Sequence, residues 1–345
     1  MQRIAAAAAM RLSSRAMSFF AVLFALLIEQ IKPLSRQNWV HDAIFAWVRW
    51  TGRNFDAGKP RHTWVVWGVS VLAPALLVCV LFLLIERQSK LLALAFDVAL
   101  LYLTLGFRQF SHHFTDIRDA LDRGDEATAR RCLAEWRHLD ASELPRTELL
   151  RHVIEHALLA AHRHVFGVFF WFVVFSALGL GPTGAVLYRM AEFSSRFWAY
   201  RHRTLGAPAD DHLLALSRRM FQTIDHVPAR MTAFGFAVVG NFEEAIGAWR
   251  RDASLWLYPN EGIILAAAAG AVGVRLGGAA APGVTPDRSK TFTDGSTADA
   301  TEAHGATQGM QPQLGHLQSV VGLVWRSVVL WLLLLALLSL ANVVG

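Results

Sequence analysis

In a chain of 345 residues, 54% hydrophobic against 17% charged residues, with 12 Trp and 22 Phe, exclude an ordinary soluble domain and indicate a polytopic membrane protein. The net charge of +6 is mostly arginine and sits between long apolar runs. That placement suits positive residues on the cytoplasmic face and contact with anionic lipid, and it excludes a nucleic-acid binder. Of the two cysteines, Cys79 lies in an apolar run and Cys132 on a polar helix, so neither a disulfide nor a metal motif is predicted.

Residues 1–16, MQRIAAAAAMRLSSRA, read as an N-terminal extension with a basic, leader-like start but no clear small-residue cleavage site. Met17 then reads as an alternative start. Membrane helices fill 17–106. Residues 18–31 are apolar but short for a span; 32–62 is a basic loop containing HDAIFAWVRW, an interfacial helix by its spacing. Residues 64–85 make the clearest span, with Trp64 and Trp67 at one interface and a tolerated Pro74. After a tight turn at 86–90, residues 91–106 return and carry Asp97 at mid-depth. A carboxylate there costs several kcal/mol unless paired or protonated, so Asp97 is either a functional group or bonded to a neighbouring helix.

Residues 107–164 read as a cytoplasmic polar block of three helices. Phe110, Phe114, Ile117 and Leu121 recur at helical spacing, Gly124-Asp125 separates the first helix from the second, and 144–147 start the third. Residues 165–200 are expected to form a membrane hairpin broken at 179–184. A re-entrant hairpin leaves the Arg-rich segments 107–164 and 189–259 on one side. Residues 201–276 read as amphipathic helices: one capped at 208–211, and another starting at 225–228 with Phe234, Val238, Phe242, Ile246 and Trp249 on one face. In 263–276, Ala269, Gly273 and Gly277 form a small-residue face suited to close packing. Residues 277–315 are expected to be a disordered linker and 316–345 a last transmembrane helix. The fold class is therefore all-α, with about four full transmembrane helices, a re-entrant or broken helix pair and cytoplasmic amphipathic helices.

Three features bear on chemistry. His152-Val153-Ile154-Glu155-His156 fits H-x-x-E-H, which puts two imidazoles one turn apart, but no third ligand or cleft context accompanies it. An Arg/His-rich helix face is the simpler reading, and metal ligands stay unassigned. The glycines of 179–184 lack the GxxxxGK[ST] of a phosphate loop and read as a helix break, leaving open an anion site at the start of the following half-helix. Arg130, Arg131, Arg137, Arg151 and Arg163 suit bidentate contact with a phosphorylated ligand, although topology alone explains their sign.

A longer pattern adds to this. Pro259-Asn260-x-Gly262 is followed by Ala267-x-Ala269-Gly270-Ala271-x-Gly273-Val274-Arg275-Leu276-Gly277-Gly278, and Pro228-Ala229-Arg230-Met231-Thr232 precedes both. Upstream lie His113, Asp125, Ala129-Arg130, Asp140, Arg151 and Glu155, then Gly181-Pro182-x-Gly184-Ala185 and Tyr188-Arg189. From Met17 to Gly278 this resembles the CobD/CbiB family of cobalamin-biosynthesis membrane proteins, to which AmpE regulators are related.

The resemblance implies a multi-pass protein of the bacterial inner membrane with its polar helical blocks cytoplasmic. The family's synthases join aminopropanol, or its phosphate, to adenosylcobyric acid in an amide ligation that needs ATP and magnesium; no permanently bound cofactor is expected. It implies catalytic, metal or amine-binding roles for Asp140, Glu155 and Asp125. It implies substrate contacts for His113, Arg130, Arg151, Tyr188, Arg230, Asn260 and Arg275. The expected partners are the lipid bilayer and a corrinoid intermediate, with no nucleic acid. The chain also departs from the pattern. An acidic E-N-x-x-D run is replaced by Leu159, Ala160 and Arg163, the Arg of an RD pair by Leu139, and N-T-L-D-S-M by Glu192-Phe193-Ser194-Ser195-Arg196-Phe197. Two functions therefore remain open: a divergent ligase or accessory subunit of cobalamin assembly, and a non-catalytic AmpE-like regulator or sensor of envelope or β-lactamase signalling.

Overall fold

A computed structural model describes residues 18–32, 39–55, 60–137, 141–205, 211–278 and 305–344. In order come α1 (Ser18–Ile31), α2 (Trp39–Phe55), α3 (Pro60–Gln88), α4 (Lys90–Thr104), α5 (Phe107–Asp122) and α6 (Glu126–Arg137). α7 (Arg146–Ala161) continues through a π-helical turn (His162–Phe166) into α8 (Gly167–Ala177). Then follow α9 (Thr183–Leu205), α10 (Asp211–Val239), α11 (Phe242–Asp252), α12 (Pro259–Val272) and α13 (Leu314–Val344).

Among the described residues, three helices are long and apolar enough to cross a membrane: His62–Gln88, Arg146–Ala177 and Leu314–Ala341. Two of these rods bury one face and expose the other. In α3, Val66, Trp67, Ser70, Val71, Ala75 and Phe82 are buried, whereas Trp64, Val65, Leu72, Leu76, Leu77, Val80 and Leu84 are exposed. In α13, Leu317, Val320, Leu323, Val324 and Val328 are buried, and Val329, Leu333, Leu334, Leu337 and Leu338 are exposed. So many adjacent bare leucines would be an aggregation surface in water, but they cost nothing in hydrocarbon. One face of each rod packs on the protein body and the other faces lipid.

The count of about four full spans is corrected by helix length. α4 has 15 residues, about 22 Å of rise, and α1 is a shorter apolar helix; both fall below the ~20 residues that a bilayer requires. The boundary expected at 164/165 is likewise absent, because α7 and α8 form one rod. Its apolar end turns back at 178–182 into α9, and this is the expected broken pair.

Two further expectations change. Residues 225–228 do not start a helix, because α10 runs unbroken through Pro228. Proline has no N–H to donate to the carbonyl four residues earlier. The indole of Trp171 donates to that Ile224 carbonyl instead, at 3.1 Å. The expected linker 277–315 is also not uniform: 277–278 and 305–313 form a clasp, and 279–304 lie outside the described residues. Isolated bridges pair Val274 with Met310 and Gly277 with Ala306. Gly278 N–H donates to Gly305 O at 2.7 Å, and Leu276 N–H to the buried Thr307 hydroxyl at 2.8 Å. Backbone bonds hold this clasp, so its low apolar content says nothing against order.

Gly277 has φ +75°, and a Cβ there would run into the carbonyl oxygen of Gly305. Gly277→Ala is therefore expected to destabilise the protein by about 1–3 kcal/mol. A thermal melt in detergent that leaves the midpoint unmoved would show that the clasp does not contribute.

Candidate functional site

The site is built around Asp225, a buried carboxylate on α10. Its helical phase places it on the stripe that also buries Ala229, Thr232 and Phe236. A carboxylate in such a stripe requires donors from its neighbours, and three other parts of the fold supply them. His162, in the π turn, approaches Asp225 Oδ1 through Nε2 at 2.7 Å and Thr232 Oγ1 through Nδ1 at 2.9 Å. The tautomer that fits both donates from Nε2 to the carboxylate and accepts at Nδ1 from the threonine hydroxyl. Tyr188 on α9 donates its hydroxyl to Oδ1 at 2.9 Å. Asn260, at the start of α12, reaches Oδ2 at 3.4 Å and donates to Gln222 O at 2.9 Å. Tyr188 fits only because position 167 is glycine; a Cβ there would occupy its phenol ring.

The π turn also sets the next residue. His162 and Arg163 are both buried, His162 against α10 and Arg163 bonded to Glu261 on α12. On α9, Glu192 bonds Arg196 through both carboxylate oxygens, one at 3.0 Å, and Arg189 at 3.1 Å. A small cavity of about 30 Å³ opens among these groups, lined by Arg163, Glu192, Arg196, Arg218, Asp225 and Glu261. Ser195, which stands where the related pattern has an aspartate, lines it too. Three guanidiniums around a water-sized hollow suit a carboxylate or phosphate.

A second polar group lies further along α7. Arg151 Nη1 donates to Glu155 Oε1 at 3.2 Å, and that same oxygen accepts the Gly277 N–H at 2.7 Å, which ties α7 to the clasp. Arg137 approaches His152 Nδ1 at 2.6 Å, while its Nε and Nη2 find no hydrogen-bond partner among the described residues. Burial pulls this guanidinium down from its ordinary range to about 10. His113 stacks on Trp136, and His156 meets the same indole edge-on.

Of the residues named from sequence, the structure thus brings Tyr188 and Asn260 to Asp225, with Arg230 beside them. Arg230 donates to His226 O at 2.8 Å and approaches Asn260 Oδ1 at 3.4 Å. His113, Arg151 and Glu155 belong to the second group. Asp125 is exposed and caps α6, accepting the Thr128 N–H at 3.0 Å; that bond holds its carboxyl below the ordinary range. Arg130 bonds Leu144 O at 2.9 Å and Glu126 at 2.8 Å, fastening the turn before α7. Arg275 is exposed, and its backbone N–H joins the clasp. Asp140 lies outside the described residues.

Sequence reasoning missed Asp225, His162, Glu192, Arg196 and Glu261. The legible signal for Asp225 was a carboxylate sharing a face with small and apolar residues one and two turns on. The H-x-x-E-H residues are engaged with Arg137, Arg151, the clasp and Trp136. Among the described residues, no three His, Cys, Asp or Glu side chains gather to hold a metal.

Known proteins resemble this chain over most of its length. A family model described as CobD/Cbib protein matches residues 19–310. The "Cobalamin biosynthesis protein CobD" of Stutzerimonas stutzeri is 33% identical over 281 residues, 81% of this chain and 82% of the relative. The protein of the same name from Chromobacterium violaceum is 36% identical over 193 residues, 56% of this chain and 59% of the relative. That from Pelobacter propionicus is 30% identical over 210 residues, 58% and 61% of the two chains. No solved structure matches.

Asp225→Ala would leave the Tyr188 and His162 donors buried without an acceptor, at an expected cost of about 1–3 kcal/mol. Removing Arg196 alone, as Arg196→Met, breaks a buried pair and is expected to cost about 3–5 kcal/mol. The double variant Glu192→Met with Arg196→Met should recover most of that loss. Denaturation midpoints of the four proteins test this, and a double variant no better than Arg196→Met alone would overturn it.

Proposed function

This chain belongs to the CobD/CbiB family, and we propose that it acts in cobalamin biosynthesis as an inner-membrane protein that holds an anionic substrate over Asp225. One observation carries the reading. Tyr188, Arg230 and Asn260 come from three separate stretches of the family pattern, and all three lie around one buried carboxylate beside a cavity of three arginines. The loops that carry arginine favour a cytoplasmic position for this cavity.

The reaction class is amide formation between a carboxyl of adenosylcobyric acid and the amine of aminopropanol or its phosphate. The amine must lose a proton before it attacks, and the activated carboxyl must lose its leaving group. Arg163, Arg196 and Arg218 suit the carboxylate or phosphate being held. The His162–Asp225 pair would suit proton acceptance at Nδ1 once the Thr232 hydroxyl turns away from it, because the carboxylate orients the imidazole and offsets the charge it would gain. ATP with magnesium would supply activation of the carboxyl. The carboxylates of Glu192 and Glu261 are committed to arginines, and that of Asp225 to His162, Tyr188 and Asn260. These residues do not fit a resident magnesium site, and no step is assigned to one.

That same pairing favours a second reading, a non-catalytic binding or regulatory protein on this scaffold, similar to AmpE. Its cavity would recognise an anion without turning it over.

The test uses the full-length protein in detergent with adenosylcobyric acid, aminopropanol phosphate, ATP and magnesium. A ligand at about 100 times its Kd stabilises the native state by ~2.7 kcal/mol, enough to raise the melting midpoint by a few degrees. Ligation predicts that shift together with a corrinoid whose mass has increased by the added amine. Asp225→Asn should keep the fold and lose the product. A shift without product supports the second reading, and no shift with any corrinoid removes both cobalamin readings.

A further inference from the structure

A second hollow lies on the opposite side of α9. It has a volume of about 200 Å³, between α2, α3, α4 and α9, and is partly open. Its walls are mainly aliphatic, among them Ile44, Val78, Leu100, Leu103 and Met190. Only two ionisable groups line it, His41 and Arg189. Interiors are close-packed, and an apolar space of this size loses dispersion contacts on every wall unless something apolar fills it.

Its position indicates the filler. Pro74 and Val78 line the hollow from α3, at the border between that rod's buried and exposed faces. Leu76 and Leu77, between them in sequence, are 63% and 61% exposed and face lipid. On α2, Trp39 is 75% exposed next to Val40 and His41 of the lining, the placement of an interfacial aromatic residue. The hollow therefore sits where the protein body meets hydrocarbon, with its basic residues in the helices that meet the polar side.

We propose that this hollow binds one anionic membrane phospholipid, an acyl chain filling the aliphatic walls and the phosphate held by Arg189 and His41. Its aliphatic walls match part of an acyl chain, and guanidinium with imidazole matches a phosphate headgroup. Arg189, which lines this hollow, also donates to Glu192, which lines the charged cavity. The inference stands apart from the ligase reading, since lipid occupancy is measured without any corrinoid.

The experiment reconstitutes the full-length chain in vesicles of phosphatidylcholine, with and without phosphatidylglycerol, each doped with the matching lipid carrying a photoactivatable acyl chain. Mass spectrometry then maps the cross-linked peptides. The expected result is labelling of α2, α4 and α9 by phosphatidylglycerol in preference to phosphatidylcholine. Val78→Trp, and separately Leu103→Trp, should abolish that labelling by filling the hollow. His41→Gln with Arg189→Gln should remove the preference between the two lipids while labelling persists. Labelling confined to the exposed leucines of α13 and the outer face of α3 overturns the proposal. So does equal labelling by both lipids in the unaltered chain, or labelling undiminished in a tryptophan variant whose melting midpoint is unchanged. If both tryptophan variants fail to fold, the peptide map and lipid preference of the unaltered chain decide.

Discussion

A carboxylate placed where helices cross can stay charged only if each crossing element brings it a donor. Asp225 is that carboxylate, and the surrounding fold answers its demand. The π turn presents His162, α9 presents Tyr188, and the first turn of α12 presents Asn260. Each donor has its own condition: Gly167 leaves room for the phenol, Thr232 fixes the imidazole, and Gln222 O orients the amide. Desolvating a charge without such partners costs far more than any one of these bonds returns. The arrangement of α7, α9, α10 and α12 can thus be read as the solution to one electrostatic problem.

The same charge explains where the cavity lies. The Asp225 cluster lies where α9, α10, α12 and the π turn meet, with the guanidiniums of Arg163 and Arg196 buried beside it. Apolar surroundings strengthen each of these charge interactions.

Much of the architecture was legible because it rests on local rules. Apolar length identified the spans, the glycines of 179–184 identified the turn, and the P-A-R and P-N-x-G stretches identified residues that do meet in space. What escaped depended on geometry that no window of sequence contains. Nothing in HRHVF marks a π turn, yet that turn lets two consecutive residues face different helices. Pro228 read as a helix start because its missing N–H usually ends a helix; only the fold reveals that Trp171, far away in sequence, replaces the lost bond. Glu192 and Arg196 looked like departures from an acidic motif, and the structure makes them a buried pair lining the cavity. The clasp escaped because composition measures side-chain burial, whereas 305–313 are held chiefly through their backbone.

That clasp has a consequence for how the chain can be cut and joined. Because Gly278 and Gly305 are bonded to each other, a segment inserted between them would begin and end at one point of the body. Doubling the length of a flexible closure costs only about 0.6 kcal/mol. This stretch is therefore the natural port for a reporter domain or a protease site. Severed there, the chain becomes two pieces, with α13 kept on the core by its own packing and by the clasp, so the protein should be expressible as complementing halves.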